Sequence, residues 1–174
     1  MANVKHYLLT AAILAAIGGA SAALIAGTNL ITKQKIAQNE IDRVNAGIKQ
    51  IFGQNAAILE ENAVSGYEYV NYCYKIVDSG NTLIGYAYRT SGSNLYGKIS
   101  LLVGFDESTK SFKKMSIIVN EQTYASTLED KYVSVVNDGG NLDDTSCGAT
   151  YGAKLVRNMV NEAYTAAQTN WSNE

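Results

Sequence analysis

Residues 7–32 carry no charged side chain, and that run restricts what the rest of the chain can become. As a helix it would be roughly 39 Å long at about 1.5 Å per residue, against a hydrocarbon core of about 30 Å. Gly18, Gly19, Ala22 and Ala23 offer a small-residue surface for close packing on another helix. A cleaved signal peptide is the competing reading, with Ala20-Ser21-Ala22 as the cleavage site. The apolar run is long for a signal and continues past that site as Ala23-Leu24-Ile25-Ala26, which favours an uncleaved anchor. Orientation is not written in the charges. Lys5 and the terminal amine precede the run, Lys33 and Lys35 follow it, and the positive-inside rule gives no clear vote.

A chain of 174 residues leaves room for one modest domain beyond such an anchor. Ala37, Ile41, Val44, Ile48 and Ile51 draw an apolar stripe along a helix spanning about residues 33–52. The stripe either packs on the chain's own domain or docks on a partner protein, and spacing alone leaves both open. From residue 67 the texture turns to β. Aromatic and β-branched runs at 67–77, 83–90, 96–105 and 112–120 are separated by short polar turns, which predicts an antiparallel meander. A short helix is expected within 121–136. A final one is expected over 149–168, where Leu155, Met159, Val160 and Ala163 recur at helical spacing. The expected fold class is therefore α+β: a transmembrane helix continuing into an amphipathic helix, then an antiparallel sheet flanked by helices. The division is an N-terminal tail at 1–6, a span at 7–32, an amphipathic linker helix at 33–60 and a domain at 61–174.

Several chemistries are poorly equipped here. Net charge is −2 and 17% of residues are charged, so no basic surface argues for nucleic acid. The single histidine, His6, lies beside the apolar run, which removes His-based triads and histidine-rich zinc sites from the remainder. Cys73 and Cys147 are too few for a structural zinc site. They read best as one buried small residue and one loop thiol, with a disulfide outside the membrane as the alternative. A bound cofactor would have to bring the reactivity.

One stretch invites such a cofactor: Asp144-Thr145-Ser146-Cys147-Gly148-Ala149-Thr150, where a polar loop turns into the last helix. Thr145 or Ser146 is the expected N-cap. Thr150 then falls in or beside the first turn, where unpaired amides and the helix dipole favour a phosphate. Gly148 and Ala149 carry little or no side chain, so a bulky group can approach the backbone. This suits a flavin phosphate joined to threonine as an ester, although ordinary capping chemistry accounts for the same residue types.

That heptapeptide resembles the flavin attachment site of the FMN-binding domain family, which includes the G subunit of the Rnf electron-transport complex and the C subunit of the sodium-pumping NADH:quinone reductase. The family pattern is an aspartate, two variable residues, Ser or Thr, Gly, Ala, then the Thr or Ser that receives FMN. Asp144, Gly148, Ala149 and Thr150 match it, and Cys147 stands at the Ser/Thr position. Gly85-Tyr86-Ala87-Tyr88, Tyr96-Gly97-Lys98-Ile99 and Leu102-Val103-Gly104-Phe105-Asp106 are similar to successive strand signatures of the family. The anchor followed by Thr32, Ile36, Ala37, Asn39 and Glu40 is similar to its N-terminal helix. Two stretches depart from the pattern. Tyr151-Gly152-Ala153 stands where the family commonly has a Thr-Ser pair. Residues 120–126 stand where it shows Glu-Thr-Pro-Gly-Leu-Gly, with only Glu121 in register.

The resemblance implies FMN bound covalently at Thr150, with Ala149, Gly148, Cys147, Asp144 and Glu121 as the other site residues. Asp144 would be read by the flavin transferase during maturation. It also implies a cell-membrane protein with its C-terminal domain extracytoplasmic, and other membrane subunits of the electron-transport complex as partners. The activity implied is that of a redox subunit in a ferredoxin:NAD+ oxidoreductase-type, ion-translocating complex, not of an independent enzyme. Other readings are a stand-alone anchored flavoprotein carrier, a scaffold without flavin, or a pilin-like protein. Against the last, the apolar segment has no internal glutamate and no Phe-Thr-Leu-Ile-Glu start.

Overall fold

Helix α1 runs over Ala2–Phe52, and the chain divides into two units, Met1–Ile41 and Asp42–Glu174. The computed structural model describes residues 2–172; the side chains of Lys5, which flanks the apolar run, and Ala37, first in the apolar stripe, lie outside the described residues. In the first unit His6–Asn29 is long and apolar enough to cross a membrane, with mean hydropathy 2.2 and none of it buried. Tyr7, Leu9, Ile13, Ile17 and Leu24 are all more than half exposed. A helix that is apolar on every side, with no protein covering it, calls for an apolar solvent or partner.

The second unit is built on a five-stranded antiparallel sheet of order β1-β2-β3-β4-β5. The strands are β1 (Ala57–Ala63), β2 (Val70–Val77), β3 (Leu83–Asn94), β4 (Gly97–Asp106) and β5 (Ser111–Asn120). Each neighbour in sequence is the neighbour in space, as the short turns demand. The central strands are covered on both sides, so β4 is buried almost throughout. On one face, Val44, Ile48 and Ile51 of α1 meet Tyr74, Ile76, Ala87, Leu102 and Ile118. Gly104 permits this approach: a Cβ there would stand 2.4 Å from Cγ2 of Ile51. On the other face, Tyr86, Tyr88, Leu101, Val103 and Phe105 pack with Val156, Met159, Val160 and Ala163 of α4 (Thr150–Ser172). Also on that face lies a helical stretch made of α2 (Ala125–Leu128), a π-turn (Glu129–Val133) and α3 (Ser134–Asn137). Each of these large buried side chains contributes about 1.5–3 kcal/mol through burial.

Several expectations change. The apolar stripe of α1 divides: Val44, Ile48 and Ile51 pack on the domain itself, whereas Ile41 is 54% exposed. The linker helix does not reach residue 60. It stops at Phe52, with Gly53 at φ +105, and β1 follows inside the span assigned to the linker. β1 reads poorly as a strand because Glu60, Glu61 and Asn62 have low β-propensity; as an edge strand it faces solvent along most of its length. β2 starts at Val70 and not at 67, because the Glu162 carboxylate accepts the amides of Glu68 and Tyr69, each at 2.6 Å. Residues 91–94, expected as a loop, extend β3: Ser91 pairs with Ser100 and Asn94 with Gly97. The hairpin loop is reduced to Leu95 and Tyr96. At the opposite edge, Asn137 donates to the Met115 carbonyl at 2.9 Å and accepts its amide at 2.8 Å, which caps part of the open ladder of β5. Cys73 and Cys147 are not joined in a disulfide; Cys73 is buried and Cys147 half-buried.

Candidate functional site

The site is the first turn of α4 and the two loops that face it. Thr150 is the first helical residue, and Ala153 donates to the Ala149 carbonyl at 2.9 Å as the first intrahelical bond. Ala149 is therefore the N-cap, which corrects the placement at Thr145 or Ser146. Ser146 is engaged elsewhere: its hydroxyl and its amide both donate to Oδ1 of Asp144. These bonds hold the exposed Asp144 carboxyl below the ordinary carboxylate range, the Ser146 hydroxyl first. With alanine as cap, no side chain covers the helix start. Among the described residues no acceptor takes the amides of Thr150, Tyr151 or Gly152, and the Thr150 hydroxyl has no hydrogen-bond partner. Such a terminus favours an anion.

Gly148 leads into this turn at φ +87, and a Cβ there would meet only Thr127 Cγ2, at 3.6 Å. The conformation is one that glycine adopts without strain, and the backbone on that side stands open.

The β3–β4 hairpin and the loop after β5 complete the site through a side-chain chain whose orientations fix one another. Oδ1 of Asn94 accepts the Tyr96 amide at 2.8 Å, which leaves Nδ2 to donate to the Tyr151 carbonyl at 3.2 Å. Nε2 of Gln122 donates to Asn94 Oδ1 at 3.1 Å and to the Gly97 carbonyl. Both partners are acceptors, so the amide cannot be turned the other way. The buried Gln122 thus presents Oε1 on the side of α4, 3.3 Å from where a Cβ of Gly152 would sit.

These elements enclose a cavity of about 250 Å³ lined by Tyr96, Gln122, Tyr124, Gly148, Ala149, Thr150, Tyr151 and Gly152. Three of its walls are aromatic. Tyr124 and Tyr151 are more than half exposed, Tyr96 is 39% exposed, and the rings of Tyr96 and Tyr151 lie 5.4 Å apart.

Of the residues singled out from the sequence, Gly148, Ala149 and Thr150 line this cavity. Asp144 stands on the loop outside it, and Cys147 packs against the hydrophobic core. Glu121 is exposed, and its neighbour Gln122 takes the place at the cavity wall. Gln122, Tyr96, Tyr124 and Tyr151 are the contributors that sequence reasoning missed. A signal for three of them existed, since Gln122, Tyr124 and Tyr151 sit in the two stretches that depart from the family pattern. Among the described residues no cluster of His, Cys, Asp and Glu is disposed to hold a metal ion.

No curated protein matches the chain. A family model described as the RnfG N-terminal region matches residues 1–51, a stretch that includes the candidate span and ends before the sheet and the cavity. Over that N-terminal region the chain resembles RnfG.

Proposed function

We propose that this chain is a membrane-anchored electron-transfer subunit of an Rnf-type complex, carrying FMN joined through its phosphate to Oγ1 of Thr150. Residues 7–32 are the anchor, residues 1–6 lie on the cytoplasmic side, and the sheet domain lies outside. The observation that carries the reading is a threonine hydroxyl that has no partner among the described residues, on the first residue of a helix that no side chain caps, at the wall of an aromatic-lined cavity.

The residues present suit the group. The free amides of the first turn and the helix dipole stabilise the single negative charge left on a phosphodiester, by about 0.3–1 kcal/mol when exposed. Gly148 leaves room for the phosphate to approach. The cavity lies just below the roughly 300–1,000 Å³ of sites that bury a small molecule whole. A flavin ring would therefore be held yet partly exposed, as exchange of electrons with a partner protein requires. In the attachment step the Oγ1–phosphorus bond forms while the bond to the leaving nucleotide of a flavin dinucleotide breaks, and the hydroxyl proton passes to solvent. The flavin transferase supplies that donor, and the exposed Asp144 is available for it to read. Bound flavin supplies the redox chemistry; the chain supplies attachment, orientation and electrostatics.

Intact-mass spectrometry of protein co-expressed with a flavin transferase tests this. One FMN residue is added to the wild-type chain and to Ser146→Ala, and none to Thr150→Val. An unmodified wild-type mass beside a transferase active on another acceptor would overturn the proposal.

A further inference from the structure

The two stretches of sequence that depart from the family pattern, 120–126 and 151–153, meet at one cavity, and Tyr96 from the β3–β4 hairpin completes it. Three features there bear on what the cavity can hold. Tyr151 and Tyr124 line the cavity yet leave more than half of their surface exposed. Tyr96 and Tyr151 come within 5.4 Å at an interplanar angle of 38°, so two ring faces border the same space. Gln122 is only 8% exposed, and both donors of its amide are used within the protein. Its Oε1 is left as an acceptor held in one direction.

We propose that Tyr96 and Tyr151 are the stacking platform, and Gln122 Oε1 the hydrogen-bond acceptor, for the ring system of the flavin on Thr150. This rests on the attachment proposed above and adds where the ring lies: folded back into the cavity beside the first turn of α4. The chemistry selects the edge. An isoalloxazine offers one N–H in its oxidised form, N3–H, between two carbonyls, and a fixed carbonyl oxygen pairs with that donor and no other part of the ring edge. Tyrosine faces give such a ring an offset-stacking surface. Asn94 is a positioning residue. It ties the hairpin to the Tyr151 carbonyl and turns the Gln122 amide, so both halves of the platform depend on it.

The test uses the full chain after flavin transfer, with mass spectrometry reporting the FMN content of every sample. Tyrosine stacked on an excited flavin quenches its emission, so the folded protein should fluoresce weakly and brighten severalfold in urea. Tyr96→Leu and Tyr151→Leu should each brighten the folded protein and weaken its visible-region circular dichroism, whereas Tyr72→Leu, on β2, should change neither. With ¹⁵N-labelled FMN, the N3–H proton should be protected from solvent exchange in the wild type and lose that protection in Gln122→Met. A flavin that is covalently present yet as bright folded as unfolded, with N3–H in free exchange, would overturn the ring placement and leave attachment standing. Absence of FMN from Thr150 would overturn both.

Discussion

Helix α1 holds two apolar stretches that answer opposite demands. Over His6–Asn29 apolar residues occur on every side and none of the segment is buried. Near its C-terminal end Val44, Ile48 and Ile51 occupy one side only and are exposed by 5% or less, while Asn45 and Lys49 face solvent. Apolar content says that a segment leaves water; its period says what it leaves water for. A continuous circumference suits lipid or other helices, and a stripe at helical spacing suits a sheet.

Truncation gives the widest separation of the two. Ile48→Ala opens a hole in a packed interface and should lower the unfolding free energy of the domain by about 2–5 kcal/mol, read from the urea midpoint. Ile17→Ala, at 59% exposure, should leave that midpoint within about 0.5 kcal/mol of wild type. Equal effects would break the contrast. The reverse experiment places a charge. Leu14→Asp should cost about 2.5–3.5 kcal/mol of membrane insertion and appear as loss from the membrane fraction, with the urea midpoint of the domain unchanged. If Leu14→Asp unfolded the domain, residues 6–29 would be part of its core.

The same contrast governs how much could be read in advance. Runs and periods survive any tertiary arrangement, so the apolar segment, four of the five strands and α4 were legible. β1 was not, because Glu60 and Glu61 are tolerated only where an edge strand faces water. The site was half legible. Gly148, Ala149 and Thr150 line the cavity from a helix start, and the motif marks that local backbone chemistry. The cap at Ala149 was hidden by the preference of Ser and Thr for caps, which Asp144 diverts by taking the Ser146 hydroxyl. Gln122, Tyr96 and Tyr124 reach the cavity only because the two-residue hairpin and the loop after β5 fold towards α4, and no local pattern encodes that meeting.

Alkaline pH sharpens the comparison more gently. Residues 8–29 contain no titratable side chain, whereas the sheet carries buried phenols. Burial first, then the Glu61 carboxylate, pushes Tyr74 up to about 12. Burial raises Tyr88 and Tyr132 as well. The unfolded chain ionises these groups near 10, so the folded state binds more protons above that pH. Their contribution is complete below about pH 10 and is lost as pH rises through the folded values. Thermal unfolding should show a plateau to about pH 9 and a fall beyond it, shallower in Tyr74→Phe by about 3 kcal/mol at most. Membrane association should not follow that curve.

The smallest effect lies at the acid end, in the turn between β4 and β5. Oδ1 of Asp106 accepts from the Ser108 hydroxyl at 2.6 Å and the Ser108 amide at 3.0 Å, and Oδ2 accepts from Lys113 Nζ at 2.9 Å. The Ser108 hydroxyl, then Lys113, holds this carboxyl well below the ordinary range. A depressed value means stability that is present above the unfolded carboxylate value near 4 and lost as pH falls through the folded one. The side chain is 22% exposed and water screens the pair, so its worth is about 0.2–1 kcal/mol. Asp106→Asn should therefore lower the melting temperature slightly at neutral pH, and its difference from wild type should shrink as pH falls below about 4. Because one cooperative unit reads out both ends of the scale, a shift there with no change in membrane partition would keep the two apolar stretches of α1 energetically separate.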